Sequence, residues 1–126
     1  MTELSIGVID DDQDVRHAIR RLLRAAGFAA ETFTSAEDFL ESKLPSPDCL
    51  VLDVQLSRLS GFELQERLAA SGRAIPIVFI TAHDDPATRE RARQAGDTEY
   101  LRKPFEDLAL IGAIHRAISR ASGPAA

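Results

Sequence analysis

The chain has 126 residues, of which 44% are apolar and 28% charged, with a formal net charge of −5. That length suits one hydrophobic core rather than two, and no apolar run approaches the ~20 residues that a membrane-spanning helix needs. An acidic balance also argues against direct nucleic-acid binding, because the phosphate backbone is held chiefly by clustered Lys and Arg.

The N-terminus enters a strand-like run without a basic segment or cleavable apolar stretch, so a cytoplasmic location is the default expectation. Cys49, the only cysteine, excludes an intrachain disulfide and reads as a small buried hydrophobe inside Cys49-Leu50-Val51-Leu52.

Five apolar or β-branched runs are predicted strands: Leu4–Ile9, Phe28–Phe33, Cys49–Asp53, Ile75–Ile80 and Thr98–Leu101. Helix-period segments alternate with them. Val15, Ala18, Ile19, Leu22, Leu23 and Ala26 give the first helix one apolar stripe, with Arg16, His17, Arg20 and Arg24 mainly off it, and Gly27 ends it. Ser35 with Asp38 resembles a capping box opening helix two. Helix three is predicted from about Gly61 to Ala70 with Phe62, Leu64 and Leu68 inward.

Asp85-Pro86 supplies an N-cap and an N1 proline for helix four. Its segment Ala87–Ala95 has only alanines as apolar residues and can bury little, so it is expected to be the loosest helix. Helix five is predicted from about Phe105 to Ile118 with Leu108, Ile111, Ile114 and Ile118 inward. Short apolar strands joined through helices imply an α/β fold with a parallel sheet covered on both faces and right-handed crossovers. Residues 1–120 form the expected domain, and the small, aperiodic residues 121–126 read as a tail or the start of a linker.

The first strand ends in Asp10-Asp11-Asp12 and the third in Asp53, which delivers several carboxylates to the C-terminal edge of one parallel sheet, where α/β folds place their sites. Acids so gathered must either hold protons or bind a hard cation, and oxygen-only ligation favours Mg2+. Asp12, directly before an amphipathic stripe, reads as the helix-one N-cap rather than a ligand. Thr81-Ala82 ends strand four and Lys103-Pro104 follows strand five, adding a hydroxyl and an ammonium at the same edge. A carboxylate nucleophile, a metal, Lys and Thr together describe a phosphoryl site. His17, His83 and His115 show no metal-ligand spacing.

Ile9-Asp10-Asp11, Asp53, Thr81-Ala82 and Lys103-Pro104-Phe105, in this order, resemble the receiver domains of two-component response regulators over nearly the whole chain. Ile80-Thr81-Ala82-His83-Asp84 and Arg102-Lys103-Pro104-Phe105-Glu106-Asp107 are similar to the FixJ-type branch, whose members often carry a C-terminal DNA-binding output domain. The resemblance implies a single flavodoxin-like (βα)5 domain with strand order 2-1-3-4-5. It implies Asp53 as phosphoacceptor, and Mg2+ held by Asp10, Asp11, Asp53 and the backbone carbonyl of Gln55. Thr81 and Lys103 would contact the phosphoryl group, Tyr100 would be the switch aromatic, and the Lys103-Pro104 bond would be cis. Implied partners are a sensor histidine kinase or phosphotransfer protein docking near helix one, and a second copy through helix 4, strand 5 and helix 5. Taken alone, Tyr100 is an ordinary boundary aromatic, and its place three residues before Lys103 is what supports the switch reading.

The chain departs from the family at Leu56-Ser57, where Met-Pro is common. Losing that proline frees the backbone at Ser57 and suggests a loop more mobile or differently posed. Gly96-Asp97 replaces the usual Gly-Ala. Gln55 and His83, with Ala82 and Pro104, lie at positions that tune the site and the lifetime of the acyl phosphate. Three rivals stand beside this reading. A haloacid-dehalogenase-type phosphatase needs a second acid where Gln55 stands. A flavodoxin-like cofactor carrier would find its phosphate repelled by Asp10-Asp11-Asp12. The third is a receiver that signals without phosphorylation.

Overall fold

The computed structural model describes residues 3–96 and 99–122. Five strands and five helices alternate: β1 (Ser5–Ile9), α1 (Gln13–Ala25), β2 (Ala29–Phe33), α2 (Ala36–Glu41), β3 (Cys49–Asp53), α3 (Gly61–Ala70), β4 (Ile77–Thr81), α4 (Pro86–Gln94), β5 (Glu99–Arg102) and α5 (Asp107–Ser122). The strands pair in parallel in the order β2-β1-β3-β4-β5.

Side chains alternate across a strand with period two, and here both faces are apolar. Ile6 and Val8, Cys49 and Val51, and Val78 and Ile80 pack with Ile19, Leu23, Leu110 and Ile114 of α1 and α5. Ile9, Leu50, Leu52, Ile77 and Phe79 pack on the other face with Phe39, Phe62, Leu64, Leu68 and Ala92 of α2, α3 and α4. A sheet buried on both sides explains why its strands read as continuous apolar runs rather than alternating ones.

Local signals set the helix ends. Asp12 caps α1, its carboxylate accepting from the N–H groups of Asp14 and Val15, and Asp85 caps α4 by accepting from Thr88 N–H with Pro86 at the first turn. Ser35 accepts from Asp38 N–H, but the Asp38 carboxylate takes the Thr34 hydroxyl instead of closing a capping box. The reciprocal box is at α3, between Ser60 and Glu63. Gly27, at φ 94°, turns the chain out of α1 in the left-handed region that favours glycine.

Several expected boundaries shift. β4 starts at Ile77 rather than Ile75 because Pro76 has no N–H for the ladder, although its carbonyl accepts from Leu50 N–H at 2.8 Å. Thr98, the expected start of β5, and Asp97 lie outside the described residues, as do residues 123–126. α5 continues past Ile118 through Arg120 and Ala121 to Ser122. The inward placement of Leu108 is overturned: it is 79% exposed, while Leu110, Ala113, Ile114 and Ala117 form the buried stripe. Leu108 lies roughly 200° around the helix from Leu110, and the alanines at 113 and 117 fill the seam against the sheet. Ile111 and Ile118 flank it, half-buried. On α1 the buried stripe is narrower than the expected one, with Ala18 and Ala26 exposed. α4 buries only Ala92 among its described residues, as its alanine-only apolar content implied.

Gly61 opens α3 where the helix meets the end of β3. A Cβ there would stand 2.4 Å from the Asp53 carbonyl oxygen and 3.0 Å from Val54 Cα, so backbone would have to move. Gly61→Ala is expected to cost about 1–3 kcal/mol, the usual penalty of overpacking, measured by urea unfolding.

Candidate functional site

Register brings the acids together. Ile9 pairs with Leu52, so Asp10 and Asp53 emerge side by side from β1 and β3. Asp53 pairs with Ile80, and Thr81 with Arg102, which sets Thr81 and Lys103 at the same edge. Lys103 N–H donates to the Thr81 carbonyl at 2.8 Å, and the Lys103-Pro104 bond is cis. Carboxylate oxygens of Asp10, Asp11 and Asp53 lie within 4.8 Å of one another. Asp10 and Asp53 are buried and Asp11 is exposed.

Lys103 is the counter-charge of this cluster. Its Nζ lies 2.8 Å from Asp10 Oδ2 and 3.4 Å from Asp53 Oδ2. Backbone groups share the remaining oxygens, Asp12 N–H donating to Asp10 Oδ1 at 2.9 Å and Gln55 N–H to Asp53 Oδ1 at 3.0 Å. Arg16, which lies off the expected apolar stripe of α1, is half-buried and donates from Nη1 to the Asp10 carbonyl at 2.8 Å. It ties α1 to the loop that carries the acids.

Burial pushes the Asp53 carboxyl up to about 6. The Gln55 N–H opposes that rise, the Asp10 charge adds to it, and Lys103 works against it. Burial works to lower the Lys103 ammonium, but the Asp10 hydrogen bond and the Asp53 charge outweigh it and the net shift is upward. Cys49 is buried and its thiol is pushed up to about 12 by burial, then by the Asp48 charge, which leaves it a core residue as expected.

The two loops flanking the acids are linked. The Thr81 hydroxyl accepts from His83 N–H at 3.0 Å and contacts the His83 carbonyl at 3.3 Å, and His83 Nδ1 meets Gln55 Oε1 at 2.8 Å. Ala82, Ser57 and Pro104 are exposed, whereas Leu56 is half-buried against the α2–α4 side of the core. Leu59 N–H donates to Glu37 Oε2 at 3.2 Å and Gly61 N–H to the Val54 carbonyl at 3.0 Å, so the loop after Asp53 is anchored at its far end. Tyr100 lies on the α4 side of β5, and its hydroxyl donates to Asp84 Oδ1 at 3.0 Å. Asp84 is a site residue that sequence reasoning missed, for nothing in local spacing couples it to a tyrosine 16 positions on.

A five-stranded parallel α/β sheet in the order β2-β1-β3-β4-β5, with an acid cluster, a threonine and a lysine at its C-terminal edge, is a flavodoxin-like fold. Residues 6–115 match the sequence family described as the response regulator receiver domain, and the chain belongs to that family. It is 40% identical over 127 residues to the transcriptional regulatory protein FixJ of Bradyrhizobium diazoefficiens, covering 99% of this chain and 61% of that one. Among solved structures, a response regulator receiver protein from Burkholderia phymatum superposes with a TM-score of 0.81 at 47% identity, covering 92% of this chain and 95% of that one. FixJ-N superposes with a TM-score of 0.85 at 33% identity, covering 100% and 99%. The chain spans about half the length of the curated relatives it matches. It is therefore a receiver domain of the two-component response-regulator type, with relatives in the FixJ branch. Among the described residues, no helix is long and apolar enough to cross a membrane.

The raised Asp53 pKa has a consequence for stability. The folded state binds this proton more tightly than the unfolded chain, so the associated stability is complete below about pH 4 and is lost as pH rises through about 6. Asp53→Asn removes the loss and is expected to stabilise the metal-free protein near pH 7 by on the order of 2–3 kcal/mol. The gain over wild type should vanish below pH 4 in thermal melts recorded across pH.

Proposed function

We propose that this domain is a phosphorylation-dependent switch in which Asp53 accepts a phosphoryl group from a phosphohistidine. The observation that carries the reading is the position of Asp53: buried at the end of β3, 3.4 Å from Lys103 Nζ and clustered with Asp10 and Asp11.

The donor set fits a hard divalent cation, since the cluster offers carboxylate oxygens and neither nitrogen nor sulfur. Asp10, Asp11, Asp53 and the Gln55 carbonyl would hold Mg2+, which when bound supplies positive charge against both the acids and the phosphoryl oxygens. An Asp53 oxygen attacks phosphorus while the phosphorus–nitrogen bond of the donor histidine breaks. The imidazole leaves with the bonding electron pair and takes up a proton. Lys103 Nζ, already facing Asp53, donates to a phosphoryl oxygen. The Thr81 hydroxyl can donate to another by giving up its contact with the His83 carbonyl while still accepting from His83 N–H, and its movement would draw the β4–α4 loop toward Asp53. Tyr100 and the α4–β5–α5 surface would follow.

Gln55 in place of a second acid supports storage of the acyl phosphate rather than rapid turnover, against the phosphatase reading. Its bond to His83 supports a joint role of both side chains in metering water that reaches the phosphoryl group. The Leu56-Ser57 loop would then reorganise on phosphorylation between its anchors at Gln55 and Leu59.

A phosphotransfer helix has a receptive surface in the groove of about 370 Å³ lined by Val15, Ala18, Ile19, Leu22, Pro104 and Phe105, with Lys103 at its edge. Sensor histidine kinases or phosphotransfer proteins are the proposed partners, in the cytoplasm. Relatives of which this chain spans 57% and 61%, named as transcriptional regulatory proteins, support an output domain that binds DNA. Pairing of copies through α4, β5 and α5 is proposed from the family resemblance alone.

Incubation with acetyl phosphate and Mg2+ is expected to add one phosphoryl group to the wild type and none to Asp53→Asn, read by intact mass. Omission of Mg2+ should abolish the addition. Modification that persists in Asp53→Asn, or that ignores the metal, overturns the mechanism.

A further inference from the structure

Asp84 follows Thr81 by three residues, in the β4–α4 loop that the proposed mechanism requires to move. Its side chain is only 6% exposed and carries three hydrogen bonds from two elements. Arg89 of α4 grips it through Nε and Nη2, both at 2.5 Å, and Tyr100 of β5 donates its hydroxyl at 3.0 Å. The Tyr100 ring packs against the core cluster that includes Phe79 and Ala92, and its backbone is registered opposite Phe79. One carboxylate therefore ties the loop bearing Thr81, the first turns of α4 and the middle of β5 into a single unit.

The chemistry suits a tie that holds until it is pulled. The Arg89 guanidinium presents two parallel donors to the carboxylate, a geometry stronger and more directional than a single charge contact. That hydrogen bonding keeps the Asp84 carboxyl down at about 2, against burial, with the Tyr100 bond contributing in the same direction. The Tyr100 phenol is raised to about 12 by burial and then by its bond to Asp84, so the proton stays on the tyrosine and the bond keeps its direction. With only Ala92 of α4 buried, apolar packing does little to fix that helix. Polar ties such as this one must do so.

We infer that Asp84, oriented by Arg89, is the positioning residue that holds Tyr100 and the β4–α4 loop in the resting arrangement, and that this tie opposes the change following phosphoryl transfer. The inference rests on the reading of Asp53 as acceptor. A ligand favouring the moved state binds more weakly by the factor that the resting state is favoured. Breaking the tie should accordingly strengthen binding of a phosphoryl mimic at Asp53, a site that Asp84 does not touch.

The chain supplies its own probe, because Tyr100 is its only tyrosine and it has no tryptophan. A phenol donating to a carboxylate emits weakly, since the excited state passes its proton to the acceptor. Asp84→Asn is expected to raise the tyrosine emission of the resting protein, and Arg89→Ala to raise it less. Beryllium fluoride with Mg2+ is then titrated against wild type, Asp84→Asn, Tyr100→Phe and the double variant, with binding followed by fluorine NMR. Each single variant is expected to bind the mimic about tenfold more tightly, equivalent to ~1.4 kcal/mol, and the double variant no more tightly than either. Tyr100→Phe deletes only the hydroxyl, so it keeps the test valid if Asp84→Asn proves unstable. Unchanged emission in Asp84→Asn, or single-variant effects on affinity that simply add, overturns the tie while leaving the acceptor reading intact. A wild type that binds no beryllium fluoride overturns the acceptor reading and this inference with it.

Discussion

Two buried carboxylates side by side, spanned by one ammonium, are the constraint on which the rest of this structure depends. Asp10 and Asp53 leave adjacent strands in matched register, where two carboxylates side by side repel and a cation between them offsets the repulsion. Lys103 supplies it, 2.8 Å from one and 3.4 Å from the other. Its reach requires β5 to end beside β4 and the following loop to turn back over the acids. Gly61 is required for a related reason, since α3 must start against the Asp53 backbone to cover the same strand end. The burial that raises Asp53 toward neutrality is the cost of enclosing the site.

The period of two along each strand separates chemistry from readout. Asp53 follows Cys49 and Val51, which face α1 and α5, whereas Thr81 follows Ile77 and Phe79, which face α2, α3 and α4. On β5, Leu101 packs with the first set and Tyr100 with the second. Asp53 and Lys103 thus belong to the side of the sheet where α5 buries a full stripe. Threonine and tyrosine belong to the side that ends in α4. At the sheet edge the two sides meet through loop contacts such as Thr81 to His83 and His83 to Gln55.

What could be read in the sequence and what could not divides along the range of the interactions. The strands, the Asp12 and Asp85 caps and the acid–threonine–lysine edge were legible because each depends on a local pattern or on the topological rule for parallel sheets. Leu108 was misplaced because two apolar stripes overlap on α5, and bulk favoured the wrong one while the alanines at 113 and 117 in fact face the sheet. The Ser60–Glu63 box is a local pattern too, with the Ser-x-x-Glu spacing that opens α3. Arg16, Asp84 and Arg89 carried no legible signal. Each is an ordinary surface charge in its own segment, and only the tertiary fold sets it against a backbone carbonyl or a tyrosine.

That division has a physical consequence for how such a domain can move. Fully burying one large aliphatic side chain is worth about 1.5–3 kcal/mol, so a helix anchored by several could not shift without a large loss. α4 has no such anchor among its described residues, only Ala92. Beyond Asp84, it is held by Arg91, which lies over the Phe62 ring at 5.1 Å and reaches Glu66 at 3.5 Å. Exposed ion pairs are worth about 0–1 kcal/mol each, and their donors find water or another acceptor when they separate. A helix fixed by exchangeable polar ties against a sheet fixed by apolar ones lets one element be displaced while the acid cluster keeps its geometry. The sparse apolar content of α4 is in that sense not a weakness of the fold but what leaves this one helix displaceable without unfolding the core.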